Sequence, residues 1–237
     1  MALNFPGLFP PTPPLRTVFE WVDIVSGLGY VSFDLGSLSS TDNSVVRVLM
    51  PSDSAVRATQ GSESPSTKFL DFNAWSSTSY VTMFDLDFDT SAFLYPRIIR
   101  GDVLLQFSIC VTPNASLTPH MNLVVKINKW ADPTETVLAT YDSTGDDFDN
   151  YAATGSEFVV DISLRIPVAE TLFKVGEKLR INIILKGKNA SGTDTCRVTL
   201  GGDPSDRNFT YTVDTPNINF PAGKTRARAF IPFKLDI

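Results

Sequence analysis

Apolar residues in this chain recur on alternate positions, and hardly a segment of ten residues spaces them as a helix face would. The final stretch, TRARAFIPFKLDI, is the clearest case. Ala227, Ala229, Ile231, Phe233, Leu235 and Ile237 occupy every second position, with Arg226, Arg228, Lys234 and Asp236 between them and only Phe230 and Pro232 breaking the rule. A period of two marks a strand with one face in a core. A strand needs neighbours for its backbone N–H and C=O groups, so the rest of the chain must supply a sheet. It does so in GYVSFDLGS, SVVRVLM, YVTMFDLDFD, DVLLQFSICVT, MNLVVKINKW, ETVLATYDS, EFVVDISLRIPV, EKLRINIILKG, DTCRVTLGG and FTYTVD, separated by turn clusters such as TPNASLTP, STGDDFDN, GKNASGTD and GGDPSDRN.

About ten strands follow, so the fold class is all-β. A short helical turn is suggested only near PVAETLF. No self-similarity at a fixed period is present, which removes propellers and solenoids. What remains is a two-sheet β-sandwich, jelly-roll-like, with strands buried on one face. Residues 157–186 show the construction: Phe158, Val160, Ile162, Leu164 and Ile166 face inward, a turn follows around Lys174 to Glu177, and Leu179, Ile181, Ile183 and Leu185 face inward again. A chain of 237 residues can form one such domain. The reading is a Pro-rich N-terminal arm over 1–16 and a β-sandwich domain over 17–237. The arm contains FPGLFPPTPP, whose five prolines favour extended backbone. Phe5, Leu8 and Phe9 are its candidate interface residues, docking on their own sandwich or on a neighbouring subunit; the alternative is a loose Pro-rich end.

Charged residues make up 19% of the chain and the net charge is −6, against the clustered Lys and Arg that nucleic acid requires. Lys224, Arg226 and Arg228 form the local exception, read as solvating charges or as partners for another subunit's acids. The N-terminus lacks the basic and apolar regions of a signal peptide, and no stretch reaches the 18 or more apolar residues of a membrane span. The expectation is synthesis in a cytoplasm, without a membrane partner, and with the sequons at Asn114, Asn189 and Asn208 arising by chance. Cys110 and Cys196, the two cysteines, are expected as free thiols.

Reaction chemistry is hard to find. His120, the single histidine, sits in the Pro-flanked loop LTPHMN, and one imidazole makes neither a His-based metal site nor, without a GxSxG elbow, a convincing triad. Gly201 and Gly202 open a turn with no helix behind it to hold an anion. Asp142, Asp146, Asp147 and Asp149 offer oxygen ligands for calcium, or an ordinary solvated turn. Asp85, Asp87 and Asp89 alternate with Phe and Leu as an outer strand face would. The expectation is therefore no catalytic residue, no metal ligand and no cofactor.

The segment TLFKVGEKLRINIILKGKNASGTDTCRVTLGGDPSDRN, with the closing AFIPFKLDI, resembles the β-sandwich structural proteins of virions, particularly capsid decoration, turret or fibre-associated proteins of tailed bacterial and archaeal viruses. The carrying features are the GEKLRI strand (Gly176 to Ile181), the GDP turn (Gly202 to Pro204) and the final apolar strand, over about residues 100 to 237. The resemblance implies a non-enzymatic virion structural protein, made in a host cytoplasm and located on the particle. Its implied partners are other capsid proteins and copies of itself as trimer or pentamer. The second reading is a glycan-binding module or adhesin meeting host-surface glycans, with Trp75, Trp130 and Tyr141 as candidate aromatic platform.

Overall fold

The computed structural model describes residues 27–39, 45–51, 70–113, 119–143, 158–189, 196–202, 209–211, 218–220 and 224–234. The arm residues Phe5, Leu8 and Phe9, and Asp146, Asp147 and Asp149, lie outside them. Thirteen strands occur among the described residues, and no helix. The all-β expectation is met, and FTYTVD contains the short β11 (Phe209–Tyr211), while β12 (Ile218–Phe220) is too brief for alternation to register.

The organising strand is β5, Arg97–Pro113, whose 17 residues face neighbours along both edges. One edge pairs with β8 (Phe158–Phe173), from Arg97↔Phe173 to Val111↔Phe158. The other is shared in tandem by β13 (Ala227–Lys234), beside residues 99–106, and β10 (Cys196–Gly201), beside residues 109–113. Beyond β10 lies β3 (Leu70–Trp75). Beyond β13 lie β1 (Leu28–Ser39) and then β2 (Val45–Pro51). The second half runs β4 (Val81–Asp89), β9 (Lys178–Lys188), β6 (His120–Ala131) and β7 (Thr134–Asp142). A single parallel contact, Val48↔Asp89, joins the halves. Every other pairing is antiparallel, so one face of each strand can meet the core while the other meets solvent.

Side chains from the two halves fill one core: Phe33 and Leu35 of β1, Leu105, Phe107 and Ile109 of β5, and Ala229 and Ile231 of β13, with Phe84, Leu86 and Phe88 of β4, Leu123, Val125 and Ile127 of β6, and Leu179, Ile181 and Ile183 of β9. Burial of a single such Leu, Ile or Phe is worth about 1.5–3 kcal/mol. The terminal strand behaves as its alternation requires, with Ala227, Ala229, Ile231 and Phe233 all buried. Cys110 and Cys196 are free thiols, both buried.

Two expectations are corrected here. PVAETLF is strand, not helical turn, because β8 continues to Phe173 alongside the start of β5; the register shift between Ile99 and Gly101 absorbs the irregularity, and Gly101 takes φ +110° there. Also, Arg226 and Lys224 find acids within their own chain. Arg226 grips Asp34 with two hydrogen bonds, Nε to Oδ1 at 2.6 Å and Nη2 to Oδ2 at 3.1 Å, and Asp34 is only 1% exposed. Lys224 pairs with Asp161 at the surface, and that bond together with the Ser108 hydroxyl holds the Asp161 carboxyl below its ordinary range.

Arg226→Ala should cost about 3–5 kcal/mol, since it strands a buried carboxylate, whereas Lys224→Ala at the exposed pair should cost about 0–1 kcal/mol; urea unfolding of the two variants makes the comparison. Gly201→Ala tests a close backbone approach. Its Cβ would lie 2.8 Å from the Thr225 carbonyl oxygen, and the substitution should destabilise by about 1–3 kcal/mol, lowering Tm by roughly 2–4 °C per kcal/mol at this chain size.

Candidate functional site

At one end of the sheets the chain presents large apolar side chains to solvent on backbone that is held in place. The connection leaving β4 carries SAFLYPR, and the β8–β9 turn carries FKVGEK. They are tied together by two backbone hydrogen bonds: the Phe93 N–H donates to the Glu177 carbonyl at 2.9 Å, and the Gly176 N–H donates to the Phe93 carbonyl at 2.8 Å. Phe93 turns inward, edge-on to Phe173 at 5.4 Å and to Phe233 at 6.1 Å between ring centroids. Its neighbours cannot follow it. Leu94 is 57% exposed, Tyr95 54%, Leu172 50% and Val175 62%. A single exposed leucine requires no explanation, but several on tethered, adjoining segments form the kind of surface that meets another molecule.

Glu177 secures the turn. Its Oε2 accepts from the Lys174 N–H at 2.7 Å and pairs with Lys129 Nζ at 2.7 Å. The same Nζ donates to the Leu172 carbonyl at 2.8 Å and lies 5.6 Å from the Phe173 ring centre. Burial alone would raise the Glu177 carboxyl; the Lys129 and Lys174 hydrogen bonds overcome it and hold the group below its ordinary range. The apolar end is therefore fixed by an ion pair from β6, a strand distant in sequence.

A second cluster lies on the outer face of β4, β9, β6 and β7. Arg180 donates to both Asp89 oxygens at 2.7 and 3.0 Å, reaches Asp87 at 3.1 Å and Glu135 at 3.6 Å, and stacks 4.2 Å from the Trp130 ring centre. Asn182 donates to Asp85 and Asp87 at 2.8 Å each, and Asn128 to Glu135 at 2.5 Å. The Asp89 bond and the surrounding carboxylates raise the Arg180 guanidinium further. Arg180 is thus engaged on several sides within the chain, and the carboxylates around it outnumber it. Among the described residues, no group of three or more His, Cys, Asp and Glu is arranged to hold a metal ion.

The sequence-derived candidates fare unevenly. His120 opens strand β6 opposite Lys188 and does not sit in a loop. Asp142 is exposed at the end of β7. Trp130 has Arg180 stacked on its ring, and Tyr141 packs in part against the core, so the two do not form a free aromatic platform. Trp75 lies on β3. The apolar end was missed in the sequence, although FLY between two strands, followed by Pro96, is an unusual content for a turn.

No family model and no curated protein matches the sequence. Among solved structures, the chain is similar to an α-amino acid ester hydrolase (9% identity, TM-score 0.43, 72% of this chain and 33% of that one). It is also similar to a CocE/NonD family hydrolase from Staphylococcus aureus (11%, 0.41, 87% and 37%). Infectious bursal disease virus, Gt strain, is a weaker likeness (12%, 0.24, 84% and 50%). These likenesses correct two expectations: the non-enzymatic virion structural protein, with its glycan-binding alternative, and the exclusion of an enzyme, because the better-fitting structures are hydrolases and not capsid components. The chain spans only about a third of those hydrolases' length, and at TM-scores this low no activity passes from them to this chain.

Glu177→Gln should remove the pH-dependent part of the turn's stability. A carboxyl held below its ordinary range stabilises fully above that range and loses its contribution as pH falls through the folded-state value. The deficit of the variant should be about 1.5–3 kcal/mol near neutrality and shrink between about pH 5 and pH 3, read as the difference in unfolding midpoint between the two proteins.

Proposed function

We propose that this chain is a docking module that acts by protein contact, with the apolar sheet end as its working surface and copies of itself as partners. The observation that carries the reading is the exposure of Leu94, Tyr95, Leu172 and Val175 on segments fastened by the Phe93 hydrogen bonds and the Glu177–Lys129 pair. Ordering is the costly part of forming an interface, and segments already ordered in the free protein lower that cost. Supporting it further, Arg180 is engaged by Asp87, Asp89 and Glu135 within the chain, so that cation is not on offer to a partner. A homo-oligomer closed around a symmetry axis would cover such an end in every copy.

Light scattering over a range of concentrations provides the test. The protein should show a mass that is a multiple of 26.0 kDa, and the variant carrying Leu94→Ser with Val175→Ser should fall to a single 26.0 kDa chain with an unchanged circular dichroism spectrum. Monomers at every concentration, or a variant that associates as well as the parent, would defeat the reading.

A further inference from the structure

We infer that the N-terminal arm of one copy, through Phe5, Leu8 and Phe9, is what occupies the apolar sheet end of another; this deepens the docking reading and rests on it. The register places the arm's point of departure at this same end. Gly29 lies beside Phe233, Phe233 beside Ile99, and Ile99 beside Thr171. Leu28 therefore begins β1 in the same row as Leu172, three strands away, a separation of about 14–15 Å. Leu28 also packs on this end, its Cδ1 lying 3.4 Å from where a Cβ on Gly101 would be.

The chemistry of the arm matches that of the surface. Residues 1–14, MALNFPGLFPPTPP, contain no charged side chain, so seating Phe5, Leu8 and Phe9 would strand no side-chain charge against Leu94, Tyr95 and Val175. Three large apolar anchors stand within five residues, and the prolines around them reduce the entropy lost on ordering.

The length of the arm brings a neighbouring copy within reach. Eighteen residues lie between Phe9 and Leu28, nineteen steps with a reach of up to about 63–68 Å when extended, several times what the chain's own sheet end requires. Pro10, Pro11, Pro13 and Pro14 favour extended backbone directly behind the anchors. Each copy thus offers one arm and one seat, a head-to-tail contact that closes into a ring when the rotation between copies allows it.

Two full-length variants test this. One carries Phe5→Ser, Leu8→Ser and Phe9→Ser and keeps its seat; the other carries Leu94→Ser and Val175→Ser and keeps its arm. Each alone should be a 26.0 kDa monomer by light scattering, and an equal mixture should form pairs and nothing larger, since one good contact remains. Circular dichroism checks that both are folded. If the arm variant associates as the parent does while the seat variant is monomeric, the arm is not the occupant and the inference fails with the docking reading intact. If the seat variant also associates normally, the docking reading itself fails. Monomeric variants whose mixture stays monomeric would likewise overturn exchange between copies.

Discussion

Everything in this fold is referred to the backbone of β5, whose amides and carbonyls must be paired on both edges because one face of the strand is immersed in the core. Val103, Leu105, Phe107, Ile109 and Val111 leave no route for water to satisfy them. One edge takes the long strand β8. The opposite edge takes two shorter strands in series, β13 and β10, drawn from the last quarter of the chain. This division explains why the C-terminal strand is so regular. It completes the hydrogen bonding of the longest strand and passes the sheet on to β1, so its alternation has to match both neighbours at once.

The outer faces are governed by charge. Few of the ionisable groups on the described strands are left to water alone: Asp34 with Arg226, Asp161 with Lys224, and Arg180 among Asp87, Asp89 and Glu135 are each bound within the chain. The apolar sheet end stands out against that background, and its rigidity comes from the same source, through Lys129 and Glu177.

A β-sandwich readily hosts unrelated roles. Texture in the sequence suggested a virion component, and the solved structures did not sustain it. A two-sheet architecture with short polar loops is common to many proteins, so shared strand grammar carries fold and very little function. Surfaces decide function, and they are assembled from residues far apart in the chain.

The limits of the sequence follow from what alternation encodes. Period two identifies strands and their inward faces, so the all-β sandwich, the buried sets in β4, β5, β9 and β13, and the outward Asp85, Asp87 and Asp89 were all legible in the order of residues. Alternation says nothing about which strand lies beside which. That Arg226 would meet Asp34 across 192 positions, or Arg180 meet Asp89 across 91, depended on pairings between distant strands. The apolar end was invisible for the same reason: Leu94 and Val175 adjoin only because Phe93 bonds to Gly176 and Glu177, and those bonds exist only once β4 and β9 have paired. Local periodicity is a property of neighbours in sequence, and the sequence by itself determined the strands; partnership is a property of neighbours in space, which only the folded chain could decide.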